Sequence, residues 1–359
     1  MSSSPLFAPL ELRKGIIAKN RVWLAPLTNQ QSHHDGTLGD DELAFLAARA
    51  EGGFGLIETC AAYVANDGKA WPGELGVHDN AMGPGLTRLA ARMREAGALA
   101  QVQLFHGGLR AVPEVSGQPA WSASAYSDAT LSARAATNDD IASVIDAFAA
   151  AAQRCARAGF DSVELHGAHG YLLSQFLSTS YNQRTDQWGG SLANRARLIR
   201  EVTRAVKAAA PTLVLGVRLS PEDFGQAKGL DLDETLQVAQ WLVEDGMDLL
   251  HLSLWQSALN TTKRPDAHAT TLFRSAVGPA TRIVVAGKIW TLAEGEAQLE
   301  HGADAIALGR AAIANPDWPQ RAALGTIKYP PLTAAELRQR GLSATFISYM
   351  AKFKGFVAE

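Results

Sequence analysis

The chain has 359 residues and contains just two cysteines, Cys60 and Cys155. Two thiols cannot build a disulfide framework or a cysteine metal cluster, and such scarcity fits a reducing compartment. No run of about 18 apolar residues is present, so no helix is expected to span a membrane. The start, Met1 to Pro5, has neither the basic residues nor the apolar run of a secretory leader. Charge of one sign is also scarce. The net charge is -3 and basic runs are missing, which argues against nucleic acid as the main partner. The economical expectation is a soluble cytoplasmic enzyme.

What the chain does have is apolar content, 47% of its residues. That suffices for one large barrel or two ordinary domains. Apolar runs at 21–28, 55–62, 99–105, 159–165, 213–219, 247–253, 282–287 and 305–309 read as strands. Between them, 40–51, 84–96, 138–158, 191–209, 231–244, 270–277 and 291–301 read as helices, several with acidic or Asn-Asp starts. Right-handed repetition of eight such units closes as a (β/α)8 TIM barrel. The chain is expected to be a single domain, 1–359, with a small hairpin within 5–20 and a C-terminal extension over 333–359. Two doubly wound domains are the alternative, but no linker separates halves. The stretch 106–137 has no clear period and is long for a connection, which makes it a candidate lid.

In a barrel, the strands' carboxyl ends converge on one mouth, and chemistry is done there. Polar or glycine positions fall at most of those ends: Thr28, Gln103, His166, His169, Tyr171, Arg218, Ser253, Gly287, Gly309 and Arg310. Taken singly, each has an ordinary structural explanation, such as a turn cap or a surface pair. Gly287 and Gly309-Arg310 end the seventh and eighth strands, where barrels commonly bind phosphate through close backbone N–H groups and a cation. His166 and His169, three apart, invite a zinc reading, but a catalytic zinc needs a third ligand. His106 and Glu164 are nearby in sequence. Hydrogen-bond donation to a developing oxyanion, with Tyr171 as proton donor, is the preferred use, and no metal is expected.

The residues also match a known family. Asn20-Arg21, Ala25-Pro26-Leu27-Thr28, Gln103-Leu104-Phe105-His106-Gly107-Gly108, His166-Gly167-Ala168-His169-Gly170-Tyr171-Leu172, the run Asn182 to Arg195, Val217-Arg218-Leu219-Ser220 and Leu308-Gly309-Arg310 occur in order. In these pieces, to about Asp317, the chain resembles the old yellow enzyme family of FMN-dependent ene-reductases. The resemblance implies FMN across the barrel mouth, reduced by NADPH or NADH. It implies Pro26, Thr28 and Ala61 near the flavin O4/N5 side, and Gln103 and Arg218 at the pyrimidine edge. Ser253, Gly287, Gly309 and Arg310 would hold the phosphate. His166 and His169 would bind the substrate's oxygen, and Tyr171 would protonate its alpha carbon. The reaction implied is hydride delivery to the beta carbon of an activated alkene, such as an enone, enal, maleimide or nitroalkene. A flavin-binding sensor or scaffold without turnover is the alternative.

The chain departs from family patterns at Gln30, where some bacterial members carry tyrosine, and at Thr28, where others carry cysteine. After Ser253, Leu254-Trp255-Gln256 replaces smaller residues, which puts a phosphate contact by Ser253 in question. Members that add an iron–sulfur cluster are not expected, since four clustered cysteines are missing. The aromatic and basic tail, Thr345 to Phe356, is expected either to cover the barrel's core or to lie at an interface bordering a partner's active site. Both a monomer and a homo-oligomer remain compatible with the chain.

Overall fold

The computed structural model describes residues 4–358. Eight parallel strands form a closed barrel: β1 (Val22–Leu24), β2 (Leu56–Tyr63), β3 (Leu99–Phe105), β4 (Ser162–Gly167), β5 (Val214–Leu219), β6 (Leu249–Ser253), β7 (Arg282–Ala286) and β8 (Ala305–Leu308). Each strand pairs with its sequence neighbours, and β8 closes onto β1. This is the expected (β/α)8 architecture. Strands buried on both faces explain the runs without alternation: one set of side chains packs under the helices, the other fills the barrel.

Helix boundaries follow local chemistry. Asp40–Glu51 begins with three acidic residues that suit the helix dipole. The 21-residue helix Asn138–Ala158 starts one residue beyond a capping box of Thr137 and Asp140, and ends on left-handed Gly159. Thr137, rather than the Asn-Asp run, is therefore the cap. The helix expected over 191–209 is split at Ala196 into Leu192–Arg195 and Arg197–Ala209.

The N-terminal hairpin pairs Leu10–Arg13 with Ile16–Ala18, while Leu6-Phe7 sits in a preceding 3-10 turn. It closes the bottom of the barrel. Leu10 and Leu12 pack against Trp23, Leu56, Val214, Leu249, Val284 and Ala305. Arg13 also donates to the Pro211 carbonyl at 2.6 Å, and Arg282 to that of Glu11 at 2.8 Å. With that end sealed by apolar side chains, the mouth at the other end is the accessible face.

The segment after β3 is a folded excursion rather than a bare loop. It carries a small sheet of Trp121–Ser122, Tyr126–Ser127 and Ser132–Ala135. Trp121 is buried and donates its indole N–H to Asp67 at 2.7 Å, and Ser122 donates to Gln175 at 2.8 Å. No described helix is long and apolar enough to cross a membrane.

Candidate active site

Two adjoining cavities open at the mouth. One, of about 680 Å³, is bordered by Pro26, Thr28, Ala61, Gln103, His166, His169, Tyr171, Arg218 and Arg310. The other, a cleft of about 1550 Å³, is bordered by Ser253, Gly287 and Gly309, and shares Pro26, His169, Arg218 and Arg310 with the first. All twelve residues expected to act on substrate or cofactor thus border one cavity or both. Trp71, Ile313, Tyr349, Met350 and Phe353 complete the smaller one and were missed. They come from a loop, a short helix and the tail, where no strand period marks a direction.

The histidine pair is built by a turn. β4 runs to Gly167, two residues further than the apolar run indicates, and so carries His166 to the mouth. His169 then takes a left-handed conformation (φ 60°), followed by Gly170 (φ 73°). Such a conformation is costly for a non-glycine residue and is held here by the surrounding contacts. His169 donates its backbone N–H to Ser220 Oγ at 3.2 Å. His166 Nδ1 accepts the Ala168 N–H at 3.3 Å, which places the imidazole proton on Nε2. The His166 ring lies 5.0 Å from that of His169 and 4.9 Å from that of Tyr171, edge to face in both cases. Phe105 packs edge to face against Tyr171 and His166, its ring 4.6 Å from that of Tyr171 and 5.8 Å from that of His166.

Burial, reinforced by the Arg218 charge, drives His166 down to about 3 and His169 well below the ordinary range. Both are neutral imidazoles near pH 7, and a neutral imidazole donates one N–H. Burial, with the nearby Glu74 charge, lifts the Tyr171 hydroxyl to about 12, so it keeps its proton. His169 Nε2 lies 2.7 Å from Ser253 Oγ, and Arg218 Nη2 donates to the same oxygen at 3.1 Å. Ser253 borders the cleft, yet its hydroxyl is committed to these two side chains.

The two further metal ligands considered from sequence are turned elsewhere. His106 Nδ1 accepts the Gly108 N–H at 3.1 Å, and its Nε2 faces Asp67 at 3.3 Å. Glu164 points into the barrel and accepts from Gln103 Nε2 at 2.7 Å.

The floor and far end of the mouth fit FMN. Arg218 is buried and its Nε has no partner, a donor of the kind that is rarely left unpaired in a folded chain. Gln103 spends its Nε2 on Glu164, which leaves Oε1 as its acceptor. A buried donor and an acceptor side by side match the mixed edge of a flavin pyrimidine ring. At the far end, a Cβ on Gly287 would meet the Leu254 carbonyl oxygen at 2.8 Å. A Cβ on Gly309 would meet only Leu27, at 3.4 Å, and leaves an open floor. Arg310 and Lys288 border that cleft, and among the described residues neither is ion-paired; Lys288 rests 4.8 Å from the Trp255 ring centroid. Glycine backbone beside free cations suits a phosphate.

The tail folds back over its own chain. Phe346 is buried against Phe45 at 5.2 Å, and Leu332 and Phe356 join by backbone hydrogen bonding. Helix Ala344–Met350 thereby sets Tyr349 beside Thr28 in the smaller cavity. Within one chain, the tail both covers apolar surface and borders the site.

A barrel mouth lined by a buried arginine, glycine backbone beside free cations and a pair of neutral histidines has the makings of a flavin oxidoreductase. Residues 5–328 match the model of the NADH:flavin oxidoreductase / NADH oxidase family. A probable NADH-dependent flavin oxidoreductase of Bacillus subtilis is 35% identical, over 88% of this chain and 86% of that one. An NADPH dehydrogenase of Bacillus licheniformis is 36% identical, over 90% of this chain and 95% of that one. The solved structure of the old yellow enzyme homologue from Zymomonas mobilis superposes with a TM-score of 0.82 at 28% identity, covering 94% of this chain and 96% of that one. The chain belongs to this family, that of the old yellow enzymes. It is an NAD(P)H-dependent flavin oxidoreductase with FMN as cofactor.

Proposed function

We propose that the protein is an ene-reductase that saturates activated alkenes. Bound FMN supplies hydride transfer, taken from a reduced nicotinamide and given to the alkene's beta carbon. The observation that carries the reading is the fixed tautomer of His166. With Nδ1 accepting from Ala168, Nε2–H is its free donor. A neutral donor set in place before reaction stabilises the oxygen of an enone, imide or nitro group as it becomes enolate-like. His169, with Nε2 accepting the Ser253 hydroxyl proton, keeps its one N–H on Nδ1 and holds the same oxygen through it. Tyr171 retains its proton at neutral pH and stands beside His166, where it protonates the alpha carbon.

The remaining residues serve the cofactor. Arg218 and Gln103 would hold the pyrimidine edge, and Pro26, Thr28 and Ala61 would lie near the O4/N5 side. Gly287, Gly309 and Arg310 receive the phosphate. Ser253, by its hydrogen bonds, acts on Arg218 and His169 more than on the phosphate.

The test separates the two half-reactions. Tyr171→Phe is expected to slow reoxidation of reduced enzyme by cyclohexenone, maleimide or a nitroalkene by about 100-fold or more, the usual contribution of a general acid. Anaerobic reduction by NADPH or NADH should keep its rate. Equal losses in both halves would defeat the assignment of Tyr171. Bound flavin with no oxidation of nicotinamide would favour the sensor reading.

A further inference from the structure

Below the mouth the barrel interior holds a second polar tier that borders neither cavity. It consists of Glu58 on β2, Glu164 on β4 and His251 on β6, all buried. Glu164 is fully engaged: Oε1 accepts from Gln103 Nε2 at 2.7 Å, and Oε2 faces His251 Nδ1 at 2.7 Å. Glu58 Oε2 lies 4.0 Å from the same His251 nitrogen. One oxygen or nitrogen from each of the three lies within 4.8 Å of the others. Gln101 stands alongside, with its Oε1 taken by Ser162 at 2.5 Å, so its amide N–H group is what it can offer Glu58. Arg218 is level with His251 across the β5–β6 pairing and is the buried cation nearest this tier in charge.

Two carboxylates this close, away from water, cannot both ionise without a large electrostatic cost. Their partners decide which one does. Glu164 has two side chains aimed at its oxygens, whereas Glu58 Oε1 has no hydrogen-bond partner. Burial and the Glu164 charge push Glu58 well above the ordinary range. Burial also works against Glu164, but His251, Arg218 and Gln103 outweigh it and hold its carboxyl low.

We propose that Glu58, Glu164 and His251 are positioning residues for the flavin reaction, holding one proton on Glu58 and one negative charge on Glu164 beneath Gln103 and Arg218. This rests on the reading of those two residues as the pyrimidine contacts. The charge fixes the Gln103 amide so that its oxygen faces upward, and it offsets part of the Arg218 charge. Since Arg218 favours the anionic reduced ring, Glu164 lowers the flavin's midpoint potential and keeps its hydride easy to give up.

The test uses the FMN-loaded full chain. Glu164→Gln removes the charge at nearly constant volume, and the midpoint potential is expected to rise. A tenfold tighter hold on reduced relative to oxidised FMN would read as about 30 mV for a two-electron couple. Glu58→Gln, at an already neutral position, should leave the potential unchanged. A fall in potential for Glu164→Gln, or an equal loss of affinity for both redox states, would overturn the proposal. Glu58→Gln keeps shape and neutrality, so it supports a second arm without flavin. The infrared difference between wild type and this variant at neutral pH should contain a protonated carboxyl stretch. A difference showing carboxylate bands alone would overturn the proposal, as would one equivalent of metal in wild type that the variant loses. Failure to bind FMN at all would instead strike the cofactor reading, while leaving the infrared result standing.

Discussion

The two ends of the barrel are made of the same eight strands but obey different rules. At the bottom, Trp23, Leu56, Val214, Leu249 and Val284 meet Leu10 and Leu12 of the hairpin, and every side chain finds an apolar neighbour. At the mouth, among the described residues, Arg218 Nε is buried without a partner, Arg310 forms no ion pair, and His169 holds a left-handed backbone. One end spends its residues on closure. The other keeps donors unsatisfied and backbone strained, which costs stability and is retained where a ligand completes the bonding. Arg21 Nε, before β1 at the sealed end, is buried and unpaired among the described residues as well, so it is the left-handed backbone and the unpaired cations together that mark the working end.

The largest effect expected from breaking this contrast is at the sealed end. Trp23 is fully buried, and Trp23→Ala should cost about 3–5 kcal/mol, the range for large aromatic truncations in a core. Denaturant unfolding would show it as a lower midpoint. Rates per flavin-loaded molecule should stay unchanged, because Trp23 itself borders neither cavity. A loss of alkene reduction in the surviving folded fraction would mean that the ends are coupled.

At the mouth the corresponding change should leave stability nearly alone and strike turnover. His166→Ala removes the Nε2–H donor and should slow the alkene half-reaction by about 100-fold, as loss of one oxyanion donor does elsewhere. Acidity sharpens the point. His166 falls to about 3 and Tyr171 rises to about 12, in both cases through burial first. The alkene half-reaction should therefore be independent of these two groups from about pH 5 to 10, given ordinary values near 6.5 and 10. Stability responds instead. His166 is lowered on folding, so the unfolded chain binds the extra proton first, and stability falls as pH drops below 6.5 toward 3. Tyr171 is raised on folding, so its contribution is lost as pH climbs from 10 toward 12. A bell-shaped alkene half-reaction centred between pH 6 and 7 would contradict the neutral-histidine assignment.

The contrast also explains what was legible in the chain. Strand and helix order followed from apolar period, because the outer strand faces and the helices share one core. Strand ends carried the mouth residues, so ten site positions could be read once the barrel was assumed, while Pro26 and Ala61 came from the family resemblance. The inner tier could not. Glu58, Gln101, Ser162 and His251 are lone polar residues within apolar runs, and sequence does not say whether such a residue faces the barrel or the helices. Tyr349, Met350 and Phe353 escaped for a different reason. Their place is set by tail packing on Phe45, a long-range contact with no local period. The small sheet over 121–135 was hidden because its strands are two to four residues long.

The smallest expected effect tests the phosphate end by comparing two glycines. Gly287→Ala would press its methyl against the Leu254 carbonyl and the Ser257 backbone, at 2.8 and 3.0 Å, so both stability and FMN affinity should fall. Gly309 differs. A methyl there meets only the Leu27 side chain, at 3.4 Å. On steric grounds Gly309→Ala should therefore lower stability less than Gly287→Ala does, as denaturant unfolding of the two variants would show. If a phosphate lies against this backbone, the same methyl stands in its way, and FMN affinity should drop several-fold, close to 1 kcal/mol at about 1.4 kcal/mol per tenfold. Titration of the apoprotein with FMN and with riboflavin separates the contributions. The loss belongs to the phosphate when FMN weakens and riboflavin does not, and equal weakening would move the anion away from Gly309.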